Sequence, residues 1–267
     1  MHQPGELATA ARQTWAAVLN LIPSLQPDDW NRPTPCVGWS VKDVLAHLGH
    51  VEGMLVHGFD QPEPPADWVG DGTPLDQVTN QGVAARRPWS PARVIDEIER
   101  AAAATTSLLE TPELDWNEPS STPVGPAPRS VAVEMRVNDI FLHLCDLRTA
   151  LGLDINQSAE PLGRGVAIGR AVRLSPWAWA KQAKAAEGQR LRLSLTGPGA
   201  VDHDVVMRAG KAVIESQNGE PDAVIKGSGL AYLLAVSGRH ALVPAGGGLV
   251  ATGEPGRVLL EKFRLVG

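Results

Sequence analysis

The stretch DVLAHLGH sets His47 and His50 three residues apart, and far downstream DIFLH sets Asp139 four residues before His143. A carboxylate and an imidazole four residues apart on a helix share one face, which is how a single helix offers two ligands to a metal ion. A third ligand from a facing helix would complete the three-protein-ligand set of a catalytic zinc site and leave a position open. The same spacing also suits a plain Asp–His hydrogen bond, so spacing alone leaves both readings open.

A helix advances about 100° per residue, which separates the candidate histidines. With His47 as reference, Val44, Leu48, Val51 and Leu55 fall between roughly 40° and 100°, so His47 sits at the edge of an apolar stripe. His50 and His57 lie about 60° to 80° away on the opposite flank and are expected in solvent. On the later helix Val133, Ile140, Leu144, Leu147 and Leu151 cluster in the same way about His143. Asp139 shares the His143 face, and Arg136 falls on it one turn earlier.

The elements that must carry these residues can be read from punctuation. A helix over 5–25 is expected to kink at Pro23 and stop before Pro27. NRPTPCVGW is a rigid loop, Ser40 an N-cap with Asp43 completing a capping box, and the helix it opens runs to about Phe59. A shorter helix covers 73–87, and another starts at Ser90 with Pro91 in its first turn. The Pro-rich connection 111–128 is a long loop, and a fifth helix over 128–152 ends at Gly152. After a further helix over about 160–186, period-two alternation in RLRLSLTG and the following DHDVVMRAG, KAVIESQNG and DAVIKGS marks strands. A short helix at 229–242, a glycine-rich loop with a short strand and a closing helix finish the chain.

These readings give an α + α/β two-domain fold. A helical bundle occupies 1–155 and a small C-terminal α+β domain 156–267, with the boundary between 155 and 188. The 267 residues carry a net charge of −6, which argues against nucleic acid as partner. Residues 1–155 hold 10 Lys/Arg against 21 Asp/Glu, and residues 156–267 hold 14 against 9, so an acidic half precedes a basic one. No apolar run approaches the ~18 residues of a membrane span. The opening MHQPGELATAARQ lacks the layout of a signal peptide, so a cytoplasmic protein is expected. Cys36 and Cys145 are expected to be small buried hydrophobes, and Trp39 a core anchor.

The segment PTPCVGWSVKDVLAHLGHVEG resembles the N-terminal signature of the DinB-like metalloproteins, and more narrowly that of the mycothiol-dependent maleylpyruvate isomerase family. The resemblance implies a DinB-like four-helix bundle at the N-terminus and a divalent metal, usually zinc, held by His47. DIFLHLCDLRTALG resembles the family's second signature and implies Asp139 and His143 as the remaining ligands. The family commonly has Glu where this chain has Asp139. The shorter side chain implies either a metal nearer that helix or a different carboxylate binding mode. SGRHAL resembles a segment whose arginine serves the site, which implies Arg239 as a catalytic and cofactor-binding residue; a helix-ending cation is the other reading of Arg239. Arg136 joins it as a candidate for binding the thiol cofactor.

The implied function is a metal-dependent transferase or isomerase that activates mycothiol, a low-molecular-weight thiol, for attack on a small electrophile. The basic second half suits an anionic one. Two other readings are a metal-dependent hydrolase or lyase acting through water, and a non-catalytic DinB-like metal-binding stress protein.

Overall fold

The computed structural model describes residues 2–70, 73–156, 159–243 and 248–265. It has an α+β two-domain fold, with two compact units covering Met1–Gly163 and Arg164–Gly267. Among the described residues no helix is long and apolar enough to cross a membrane.

The first unit is helical. α1 (Pro4–Leu19) opens with Pro at its first position, where a missing N–H costs nothing. It stops at Leu19 without a kink at Pro23, because Ile22–Ser24 forms a separate 3-10 turn. α2 (Val41–Leu55) starts at the Ser40 cap. There the Ser40 hydroxyl accepts from the Asp43 amide and Asp43 accepts from the Ser40 amide. The helix ends short of Phe59: Gly58 takes a left-handed φ of 60° and the Phe59 amide donates to the Gly53 carbonyl. α3 (Pro74–Arg86) and α4 (Pro91–Leu109) follow, capped by Thr73 and Ser90.

The connection after α4 holds a small hairpin, β1 (Pro119–Ser120) against β2 (Ala127–Pro128). Two residues per strand are too few to show alternation, so the sequence reads there as loop. α5 (Arg129–Ala150) ends in a Schellman turn, with Gly152 at φ 70° and bonds from Leu153 N to Arg148 O and from Gly152 N to Thr149 O. α1 packs on α5, and α2 packs on α3, α4 and α5. Their shared core includes Trp15, Val18, Val44, Leu48, Ile98, Ile140, Leu144 and Leu147.

α6 (Pro161–Lys181) leads into the second unit. There β3 (Arg190–Thr196), β4 (Val201–Arg208), β5 (Lys211–Glu215), β6 (Ala223–Ser228) and β7 (Leu249–Thr252) form one sheet in the order β5-β4-β3-β6-β7. Only the β3–β6 pair is parallel. Leu191, Leu193 and Leu195 of β3 are buried on one face while Arg190 and Arg192 point the other way onto Asp204. α7 (Gly229–Val236) is buried along its whole length, which its all-apolar sequence requires. α8 (Glu254–Lys262) closes the unit.

The contact between α2 and α3 is tight at Gly82, where an added Cβ would lie 2.0 Å from His50 Cδ2. The His50 ring is held by Gln61 and cannot simply swing away. Gly82→Ala should therefore destabilise the protein by about 1–3 kcal/mol through overpacking. Gly5→Ala, with nothing within 4 Å, should be neutral or stabilising by up to about 1 kcal/mol. Urea midpoints of the two variants check the pair.

Candidate metal centre

Capped by Ser40, α2 presents His47 toward α5, which presents Asp139 and His143 from successive turns. All three are buried, at 4%, 4% and 6% exposure. His47 Nε2 lies 3.5 Å from Asp139 Oδ2, and His143 Nε2 lies 3.5 Å from Asp139 Oδ1. One donor atom from each residue falls within 4.8 Å of the others. Two donors bonded at about 2.1 Å to one tetrahedral ion are about 3.4 Å apart. Moreover, neither ring nitrogen of His47 has a hydrogen-bond partner, although both are buried. Buried polar atoms are rarely left unsatisfied. The orphaned imidazole and the donor spacing both fit a bound cation.

Asp146, one turn beyond His143, is fully buried, and its Oδ2 lies 3.1 Å from His143 Nδ1. That contact commits Nδ1 to the carboxylate and leaves Nε2 for the Asp139 side, the carboxylate–imidazole pairing that orients metal-binding histidines. The sequence reading passed over Asp146, although its i+3 spacing from His143 was the available signal. Cys36 Sγ also donates to Asp146 Oδ2, at 3.1 Å, and lies 3.7 Å from His143 Nδ1. Cys36 is thus a half-exposed polar neighbour of the site, unlike the buried hydrophobe expected from composition, whereas Cys145 is buried.

Trp39 covers both imidazoles, with ring centroids 4.9 Å from His47 and 5.9 Å from His143. It is an anchor, but one placed against the site. Its indole is tied to Asn80 of α3 at 3.3 Å.

Arg136 is spoken for on two sides. Its Nη1 donates to Asp139 Oδ2 at 2.6 Å and its Nε to Glu52 Oε2 at 2.8 Å. Glu52, five residues past His47, is 1% exposed and also accepts from the Thr105 hydroxyl. No sequence signal singled it out, because a lone glutamate at that spacing reads as surface. Arg239 lies in the second unit just after α7, with Nη1 donating to the carbonyl of the α7 cap residue Ser237 at 3.2 Å.

Two histidines expected in solvent are not there. His50 is 3% exposed and its Nδ1 lies 2.6 Å from Gln61 Oε1, because α3 packs over that flank of α2. A helical wheel orders residues about one stripe and is blind to a second helix arriving on the other side. His57 lies beyond the end of α2, half-buried, with Nε2 3.0 Å from Thr105 Oγ1.

The sequence profile of the mycothiol maleylpyruvate isomerase N-terminal domain matches residues 11–148, which include Cys36, Trp39, His47, Asp139, His143 and Asp146. The chain belongs to this family. Two uncharacterized relatives from Mycobacterium tuberculosis strains are each 26% identical over 153 residues, covering 57% of this chain and 71% of their own. The crystal structure of the mycothiol-dependent maleylpyruvate isomerase superposes with a TM-score of 0.58 at 19% identity, covering 94% of this chain and 93% of that one. A mutant of that enzyme gives 0.55 at 18% identity with the same coverage. At these identities the likeness shows the fold, and it extends over nearly the whole family member.

The electrostatics of the cluster are uneven. Burial lowers the His47 pKa to about 4, with Asp139 only partly opposing it, so His47 is neutral at physiological pH. Burial also disfavours the charged form of His143, but Asp139 and Asp146 prevail and hold it well above the usual value. Burial likewise opposes the Asp139 charge, yet Arg136 and His143 keep its carboxyl well below the ordinary range. In metal-free protein, NMR should find His47 neutral down to about pH 4 and His143 protonated above pH 6.5.

The linkage signs are opposite. The His143 contribution to stability is full below about 6.5 and fades as pH rises through its raised value. The His47 contribution is full above about 6.5 and fades as pH falls toward 4. A His143 that titrates at or below 6.5 would contradict the two-carboxylate setting. Asp146→Asn should keep the fold and weaken metal binding about 10–100-fold in chelator competition.

Proposed function

We propose that the protein is a metal-dependent enzyme that uses a low-molecular-weight thiol, mycothiol first, in an isomerisation or transfer on a small electrophile. The observation that carries this reading is the buried His47–Asp139–His143 cluster, with Asp146 behind His143 and both nitrogens of His47 unpartnered. Helices α1, α2, α4 and α5 are read as the DinB-like four-helix bundle. The two free cysteines are compatible with a cytoplasmic setting.

His47, Asp139 and His143 would hold a divalent ion, zinc first, since two imidazoles and a carboxylate make a common three-ligand zinc set. Such an ion supplies the positive charge that keeps a thiol as thiolate near neutral pH. Neutral His47 is ready to donate its lone pair, whereas His143 must first give up the proton on Nε2. Asp146 keeps the remaining proton on Nδ1 and fixes the ring. Arg136 anchors Asp139 so that the carboxylate does not swing toward His143 alone. Trp39 shields the two imidazoles from water on one side.

In an isomerisation of maleylpyruvate type, the thiolate sulfur adds to one carbon of the double bond and the electron pair moves into the adjacent carbonyl. Rotation follows about the resulting single bond, and the pair returns as the C–S bond breaks. In a transfer the C–S bond is kept and the carbon takes up a proton. Arg239 is proposed to bind an anionic electrophile, and Arg136 to contact the thiol cofactor.

Metal analysis of the native protein should find stoichiometric metal that His47→Ala loses. A thermal-shift screen should show stabilisation by mycothiol only in the metal-loaded form. Metal-free native protein would sink the proposal, and turnover without any thiol would move the assignment to a hydrolase or lyase. Arg239→Gln should raise KM for an anionic electrophile about tenfold, the loss of roughly 1.4 kcal/mol. An unchanged KM removes Arg239 from the site.

A further inference from the structure

His143 stands between two aspartates of its own helix. Asp139, four residues earlier, has Oδ1 3.5 Å from His143 Nε2, and Asp146, three residues later, has Oδ2 3.1 Å from Nδ1. A neutral imidazole carries one proton and one free lone pair, on different nitrogens. With the proton on Nδ1 facing Asp146, the lone pair is at Nε2, toward His47. The opposite tautomer is also provided for: with the proton on Nε2 facing Asp139, the lone pair points from Nδ1 to the other side of the ring.

That other side holds a second set of ligand atoms. Cys36 Sγ lies 3.7 Å from His143 Nδ1 and 3.1 Å from Asp146 Oδ2, and Nδ1 and Oδ2 are themselves 3.1 Å apart. Around one tetrahedral ion of zinc type, sulfur stands about 3.5 Å from nitrogen or oxygen, and nitrogen about 3.3 Å from oxygen. The triangle lies within a few tenths of an ångström of those spacings.

Cys36 is held in place by its loop. Its amide donates to the Thr34 hydroxyl at 3.2 Å, its carbonyl accepts from the Trp39 amide at 3.0 Å, and Gly38 turns the chain between them at φ 81°. Asp146 is fully buried whereas Cys36 is half-exposed, so the set has a closed floor and a side from which water can complete the coordination. Two protons occupy the triangle, the thiol proton facing Asp146 and the Nδ1 proton of His143. An ion bound there takes the place of both, and they pass to water. Thiolate favours thiophilic cations, whereas His47, Asp139 and His143 offer nitrogen and oxygen only.

We propose that Cys36, Asp146 and His143 Nδ1 form a second metal site, selective for a thiophilic divalent cation, that competes with the His47–Asp139–His143 cluster for His143. The site stands on the geometry of Cys36, Asp146 and His143; the competition rests on the proposed function, because it supposes an ion at the first cluster. With one lone pair, His143 serves one ion at a time. A thiophilic ion beside Cys36 therefore takes the ring out of the first set.

The test uses the full-length protein, either stripped of metal or loaded with zinc, and cadmium as the probe. Cadmium bound to a thiolate gives a sulfur-to-metal charge-transfer band in the ultraviolet. Metal-free protein should develop that band to an end point of one cadmium per chain. The band should be lost in Cys36→Ser and persist in His47→Ala, which keeps all three residues of the second site. Cys36→Ser should take up zinc as the native chain does, showing that the variant is folded and its first cluster intact. In zinc-loaded native protein, zinc release read with a chromogenic chelator and growth of the band should follow one titration curve.

No band, or a band that survives Cys36→Ser, overturns the site. A band that grows while zinc stays bound overturns the competition, as does zinc release that is unchanged in Cys36→Ser. A native chain that takes up no zinc yet shows the Cys36-dependent band would overturn the reading of the first cluster, and the competition with it, while supporting the second site.

Discussion

Four ionisable side chains of α5, Arg136, Asp139, His143 and Asp146, are buried on one face of the helix, spaced by three, four and three residues. Each such charge taken out of water costs several kcal/mol unless an opposite charge stands beside it. The row meets this by alternating: Arg136 on Asp139, Asp139 beside His143, and His143 on Asp146. Removing one member would strand its neighbours, so the row constrains α5 as a unit. It also constrains α2, which must bring Glu52 to Arg136 and His47 to Asp139 at once.

The apolar core and the charge row hold the same helix pair from different sides. Leu48 of α2 and Ile140 and Leu144 of α5 pack in one core cluster, while His47 and Asp139 sit beside that seam. Dense packing leaves little room for the charged groups to rearrange. The result is a pair of imidazoles in opposite protonation states around one carboxylate: His47 kept neutral by burial, His143 kept charged by two aspartates. A cation bound there, as proposed, would replace a proton and satisfy the orphaned ring, which would couple metal affinity to pH through His143. Arg136 extends the row away from the cluster to Glu52 and keeps one buried N–H without a hydrogen-bond partner.

Much of the framework was legible in the chain. The Ser40–Asp43 box, the Ser90–Pro91 start and the Gly152 stop all have local causes, in caps and in left-handed glycine, and the structure shows each of them. The alternation of Leu191, Leu193 and Leu195 with arginines marks β3 for the same kind of reason. Helical spacing and the edge of an apolar stripe, which are properties of one segment at a time, could nominate His47, Asp139 and His143 separately, and the family resemblance implied them as one ligand set. The burial of His50 was not legible, since it depends on α3 crossing its flank. Glu52 and Asp146 were overlooked because a carboxylate shows its purpose only once its cationic partner is in place.

By itself, then, the amino-acid order determined where α2, α4 and β3 begin, where α5 stops, and which face of α2 and α5 carries ligand-type side chains. Those features follow from backbone sterics, capping and periodicity, all of which act within a few residues. Tertiary structure alone decided the depth of burial, the partner of each charge and therefore its protonation. These depend on the dielectric surroundings and on groups distant in sequence, such as Glu52 against Arg136 and Cys36 against Asp146. Helical spacing could nominate His47, but only the packing of α2 on α5 made it a buried, neutral imidazole 3.5 Å from Asp139 with no hydrogen bond to either ring nitrogen.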